Sequence, residues 1–258
     1  PFIKSGLETW VAPGVSNWSR VYPNNNEALG NIRAFVRDGQ RLGAKGMLNT
    51  IWNDDGEGIF DENWFGVLFG AAASWQQGES SEQAFLDSYG QAFHDDPTGK
   101  INQAQEAMMA AHALLRKAGL DDGQDALFWV DPLSQEGQTV ATKLMPVVAG
   151  LRMNAEQTIT LVAQARAAAR SDGRTLANEE ALDALELGAR RMDFIDMKFE
   201  SASDCVSLYQ QAQLLAADKT RWSEVDNLLE AIGSNNGRME DIRDGYALIG
   251  QLFEKAWL

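Results

Sequence analysis

A chain of 258 residues is long enough for one large domain or two modest ones, and its 45% apolar content supports a packed core. With 37 acidic against 22 basic side chains the formal net charge is −15, which argues against nucleic acid and anionic membrane surfaces as partners. No apolar run approaches the ~20 residues of a membrane span; a single cysteine, Cys205, rules out an internal disulfide; and the two histidines, His94 and His112, have no metal-ligand spacing, so neither a metal nor a cofactor is expected.

In chain order, Pro1-Phe2-Ile3-Lys4 has no signal-peptide character and reads as starting in mid-structure. Leu7–Val11 reads as a strand, and Tyr22-Pro23-Asn24-Asn25-Asn26 as a loop. Glu27–Leu42 has helical spacing, with Leu29, Ile32, Phe35, Val36 and Leu42 on one side and Gly43 as a C-cap. Lys45–Trp52 is a second strand, apolar enough for burial on both sides. Asp61-Glu62-Asn63 offers capping and acidic residues to a Gly/Ala-rich helix over Trp64–Trp75, whose small residues let it lie close to a sheet. Trp64 and Trp75 are expected in that helix–sheet interface. From Ser81 onward nearly everything reads as helix: Glu82–Phe93, Ile101–Ala118, Glu136–Ser171, Asn178–Glu200, Ser203–Ala217, Ser223–Ile232 and Met239–Leu258. Breaks fall at Asp96-Pro97-Thr98-Gly99, at residues 119–123, at Ser171-Asp172-Gly173 and at residues 233–237, and Pro146 bends or starts a helix. Trp129, Trp222 and Trp257 read as packing residues of this helical part.

The strand–helix–strand–helix order of residues 1–80 gives two consecutive β/α units with parallel strands. Two such strands expose apolar edges unless neighbours cover them, which leads to the expectation that the chain is a piece of a longer polypeptide. Residues 81–258 are expected to form an antiparallel helical bundle.

The run Gly46–Gly58 carries the functional signal. An apolar strand feeds directly into Trp52, then Asn53, Asp54, Asp55, Gly56 and Glu57. A sugar site needs that mixture, an aromatic face for the C–H side of the ring and carboxylates for its hydroxyls. Residues 7–18 repeat the theme with Trp10, Asn17 and Trp18. Other readings remain beside it. Trp52 is also compatible with a core aromatic, Trp10 and Trp18 divide evenly between core and site, and the acids could cap a helix. They lack the alternating ligands of an EF-hand loop. Clustered carboxylates also raise one another's pKa, which makes Asp55 or Glu57 the alternative general acid.

Trp52-Asn53-Asp54-Asp55-Gly56-Glu57, followed by Gly70-Ala71-Ala72-Ala73-Ser74-Trp75, resembles the end of the catalytic barrel in family 20 glycoside hydrolases, the β-N-acetylhexosaminidases. The resemblance covers roughly residues 1–95, and the helical remainder is similar to C-terminal extensions of some bacterial members. It implies a fold of α/β followed by all-α: the last two β/α units of a (β/α)8 TIM barrel over residues 1–80, then a helical bundle over 81–258. It also implies removal of terminal N-acetylhexosamine with retention, the substrate's acetamido group acting as nucleophile. The family's Asp-Glu catalytic pair is expected upstream of Pro1, so no catalytic residue is assigned in this chain. The partner that supplies the pair is the N-terminal part of the barrel, as the rest of the same polypeptide or as a separate chain. By position Trp52 implies a sugar platform, Asp54 a hydroxyl acceptor with Asp55 or Glu57 sharing that role, Trp10 and Trp18 a second wall, and Asn17 a polar contact. The Tyr-x-Asp pair that many members carry on that strand is missing here. The acidic surface and single cysteine fit a bacterial cytoplasm, periplasm or secreted setting equally, and a non-catalytic carbohydrate-binding or scaffolding protein is the alternative class.

Overall fold

The computed structural model describes residues 3–53, 58–120, 124–234 and 236–257. The protein is mainly all-α, which corrects the expected barrel end: among the described residues the only sheet has two strands, β1 (Trp10–Val11) and β2 (Gly46–Met47). They pair in parallel with Trp10 opposite Gly46, and one further bridge joins Gly14 to Thr50. The physical reason for the correction is local. Each strand has one hydrogen-bonded neighbour, and Pro13 has no N–H to donate, so the ladder is interrupted there and only the Gly14–Thr50 bridge continues it.

Helix α1 (Asn25–Leu42) leaves β1 and returns to β2, closing on Gly43, whose φ of 93° is the left-handed conformation a C-cap glycine takes without strain. Helix α2 (Trp64–Trp75) follows a 3-10 turn at Phe60–Asn63. Its glycines allow the close approach expected of them. A Cβ on Gly66 would lie 2.9 Å from the Val15 side chain, and one on Gly70 would strike Asn49. One face of the strand pair is thereby covered by α1 and α2. The other is bare: Trp10, Leu48 and Trp52 are more than half exposed.

The helices beyond are α3 (Glu82–His94), α4 (Lys100–Lys117), α5 (Gln124–Trp129), α6 (Gln135–Leu144), α7 (Val148–Ser171), α8 (Glu179–Ala216), α9 (Trp222–Gly233) and α10 (Asn236–Trp257). Ser81 and Ser134 cap α3 and α6 by accepting from Ala84 and Gly137 N–H groups. Side-chain pairs fix the packing directions. Arg166 near the end of α7 grips Glu179, Asp183 and Glu186 at the start of α8, while Arg152 at the start of α7 reaches Asp193 and Glu200, so the two helices run antiparallel. Lys255 to Asp183 and Arg238 to Asp204 place α10 antiparallel to α8 in the same way. One hydrophobic core runs from Val15 through Phe65, Met108, Leu151 and Leu185 to Ile249, joining the strand region to the helices.

Several local expectations need correction. The segments read as separate helices at Asn178–Glu200 and Ser203–Ala217 form the single helix α8, because Ser201 and Ala202 break nothing and are buried. Glu136–Ser171 divides into α6 and α7 at Met145–Val147, around Pro146. Trp75 is 94% exposed and lies outside the interface assigned to it, while Trp64 packs edge-on to Phe60 and against Phe93. Phe35 and Leu42 stand out from the buried stripe of α1, and Trp129, Trp222 and Trp257 all remain more than half exposed.

Candidate functional site at the strand ends

The loop that leaves β1 builds the site. Ser16 and Ser19 both take left-handed backbone conformations (φ 50° and 53°), which fold residues 15–24 into a compact knot. The Ser16 carbonyl accepts from Asn24 N–H at 3.0 Å, and Val15 and Val21 are fully buried. Asn17, itself buried, fastens this knot to the second strand end. Its Nδ2 donates to the Trp52 carbonyl at 2.9 Å and to Asn53 Oδ1, and its Oδ1 accepts from Trp52 N–H at 3.0 Å. Trp52 Nε1 donates to Thr50 Oγ1, which in turn donates to the Pro13 carbonyl. Trp52 is therefore held from three directions while 54% of it remains exposed.

Around it opens a groove of about 710 Å³. Trp18 and Trp52 form its aromatic part, with Gly14 as the floor; a Cβ there would lie 3.3 Å from the Trp18 ring and 3.1 Å from Thr50 Oγ1. The opposite wall is α1, which presents Glu27, Asn31 and Phe35 at four-residue spacing, and Arg116 of α4 closes one end. Glu27 pairs with the buried Arg20 at 3.2 Å and with Arg116 at 3.6 Å, and Asn31 Oδ1 accepts from Gly14 N–H at 3.1 Å. The groove thus combines aromatic faces with a row of ordered donors and acceptors, the chemistry that grips a polyhydroxylated ring.

Behind the groove lies a buried polar layer. Tyr22 OH and Asn25 meet Gln105 of α4, Gln124 of α5 meets His112 Nδ1 at 3.1 Å, and an Arg191 N–H of α8 donates to the Val21 carbonyl. Burial lowers the His112 pKa to about 3, with Arg20 adding to the effect, so the ring is neutral. Burial raises the Tyr22 hydroxyl far above its ordinary range. Neither group exchanges a proton near neutral pH, and the layer serves to fix the loop. Tyr22 also sits so close to α8 that a Cβ on Gly188 would fall 2.5 Å from its ring.

The expected site residues are distributed as follows. Trp18 and Trp52 share the groove. Asn17 supports it from behind, with both ends of its amide engaged by Trp52 and Asn53. Trp10 lies apart, its ring stacked on the Gly46 backbone and its Nε1 donating to Glu8. Asp54, Asp55 and Glu57 lie outside the described residues. The sequence reading missed Glu27, Asn31, Phe35 and Arg116. The first three carry a signal in hindsight, as a polar–polar–aromatic i, i+4, i+8 stripe on the face of α1 away from Leu29 and Ile32. Among the described residues no group of three His, Cys, Asp or Glu side chains is arranged to hold a metal ion, and no helix is long and apolar enough to cross a membrane. No protein-family model, curated protein or solved structure matches the chain.

Proposed function

We propose that this chain supplies the sugar-gripping wall of a glycoside hydrolase that removes terminal N-acetylhexosamine with retention. The observation that carries the reading is the pair of exposed tryptophans, Trp18 and Trp52, brought together beside the strand ends across from Glu27, Asn31 and Arg116, with Trp52 held by hydrogen bonds to Asn17 and Thr50. Locking a large exposed aromatic contributes little to stability, whereas a preformed platform lowers the ordering cost of ligand binding. Asp54, Asp55 and Glu57, which follow Trp52 in the sequence, lie outside the described residues and are proposed as hydroxyl acceptors from the sequence alone. The resemblance to β-N-acetylhexosaminidases assigns the catalytic Asp-Glu pair to a polypeptide segment outside this chain, with the substrate's acetamido group as nucleophile.

A second reading, a non-catalytic carbohydrate-binding protein, draws support from the groove itself. Its one described carboxylate, Glu27, is already engaged in ion pairs with Arg20 and Arg116. The discriminating experiment is release of p-nitrophenol from p-nitrophenyl N-acetyl-β-glucosaminide by this chain alone and by the chain joined to its upstream polypeptide. Turnover only in the joined protein supports the enzyme. Turnover by this chain alone assigns catalysis to Asp55 or Glu57. Sugar binding without turnover in either sample moves the assignment to the binder, and neither binding nor turnover overturns both readings.

A further inference from the structure

A second aromatic-lined cavity, of about 350 Å³, opens to solvent between α5, α8 and α10. Phe128 and Trp129 come from α5, Tyr246, Ile249, Gly250 and Phe253 from α10, and Arg191 and Glu254 supply charge. Two features distinguish it from ordinary helix packing. The first is the way α5 is held. Lys198 of α8 donates all three ammonium protons to the carbonyls of Leu127, Phe128 and Val130, at 2.7–2.9 Å, which pins the C-terminal end of a six-residue helix. Phe128 is then buried against Phe194 and the Arg191 guanidinium, while Trp129, set edge-on to Phe128, stays 57% exposed. The anchoring thus fixes a large side chain that the core does not use.

The second feature is the facing wall. Tyr246, Gly250 and Phe253 lie on one stripe of α10, and the space above Gly250 is empty: a Cβ there would meet nothing within 4 Å. Tyr246 is 50% exposed, stacked on Phe128 from its inner side, and Glu254 stands exposed at the rim. An apolar ligand favours an enclosed cavity that removes its whole surface from water. Half-exposed aromatic faces beside a solvated carboxylate suit a ring with an apolar C–H face and hydroxyls directed to water and to acceptors.

We propose that this cavity is a second saccharide-binding subsite, in which one sugar ring of a glycan stacks between Trp129 and Tyr246 and donates hydroxyl hydrogen bonds to Glu254. The assignment of a glycan as ligand rests on the function proposed above, but the two sites share no lining residue and are tested separately. They are linked through the fold, since Arg191 of this cavity donates to the carbonyl of Val21, three residues after Trp18.

The test is a titration of N-acetylchitotriose into the chain, followed by the indole N–H resonances of its eight tryptophans, assigned by single Trp→Phe variants. Gly250→Leu fills the cavity while improving helix propensity, and so separates occupation of the cavity from failure to fold. The expected result is a saturable shift of Trp129 together with Trp18 and Trp52, with the Trp129 shift abolished in Gly250→Leu and the others unchanged. Trp129→Ala weakens binding at this subsite by about tenfold. Shifts of Trp18 and Trp52 without Trp129 overturn this inference and leave the proposed function standing. A Trp129 shift alone supports the subsite and overturns the groove. A Trp129 shift that persists in Gly250→Leu, or a cavity that takes up anilinonaphthalene sulfonate but gives no response to the sugar, also overturns the saccharide assignment.

Discussion

The strand-end groove and the α7–α8 interface invert each other's chemistry. In α7 and α8 the side chains obey the usual sorting: Leu151, Ala155, Val162, Leu182, Leu185 and Ala189 are fully buried, and Arg152 and Arg166 form ion pairs along the edges. At the strand ends Asn17, Arg20, Asn24, Asn25 and Glu62 are buried while Trp10, Trp18, Leu48 and Trp52 face solvent. The first arrangement gains stability from apolar area removed from water. The second leaves that gain unrealised and holds the Trp52 backbone by hydrogen bonds to the buried Asn17. A region that keeps polar groups in and tryptophans out is where the proposed sugar site is placed.

The sharpest way to break this comparison is at the joint between the two regions. Gly188→Val drives a side chain into the Tyr22 ring and should lower unfolding stability by about 3 kcal/mol, measured by urea denaturation. If the loop and α8 were independent, the variant would be nearly neutral.

Asp196 is the exception inside the well-sorted interface. It is wholly buried, and neither carboxylate oxygen has a hydrogen-bond partner among the described residues. Burial, with Glu200 as the next contributor, raises its pKa to about 8. Its proton is held in the folded state, so its contribution to stability is complete below the unfolded value near 4 and is lost as pH rises toward 8. Asp196→Asn should therefore stabilise the protein by about 2 kcal/mol at pH 8, after allowance for solvent screening, and by almost nothing at pH 4. The histidines act in the opposite direction. Burial lowers His112 to about 3 and His94 to about 4, so their contribution is present above pH 6.5 and is lost as pH falls toward those values. Unfolding stability followed from pH 8 to pH 3 should pass through a maximum, and in Asp196→Asn that maximum should move to higher pH.

Smaller effects sharpen the groove. Asn17→Ala removes the hydrogen bonds that join the two strand ends and should cost about 1–2 kcal/mol of stability, with several-fold weaker sugar binding because Trp52 is no longer held. Trp52→Ala, which removes a half-exposed side chain, should change stability by no more than about 0.5 kcal/mol in thermal unfolding.

The two regions also differed in how far the sequence revealed them. Long apolar periodicities located α1, α4 and α10, because a helix records its buried face in its own sequence. Helix α5 escaped notice because six residues carry no period and its fixing group, Lys198, lies about 70 positions away. Lys45–Trp52 reads as a long buried strand, yet strand length depends on the number of neighbours, which no segment encodes alone. In the groove, Trp18 and Trp52 were legible as aromatics at strand ends. Glu27 and Asn31 left only a stripe on α1 that does not say what it faces, and Arg116 joins them only when α1 and α4 are brought together.

A sugar platform at the strand-end tryptophans is open to calorimetric titration of N-acetylglucosamine and N-acetylchitobiose into the wild-type chain, Trp52→Ala and Trp75→Ala. Among the described residues Trp75 is the most exposed large apolar side chain and lies outside the groove, so it controls for nonspecific aromatic contact. The wild type is expected to bind saturably, with affinity unchanged in Trp75→Ala and weakened at least about tenfold in Trp52→Ala. Equal affinity in all three proteins, or no binding in any, would contradict the sugar platform.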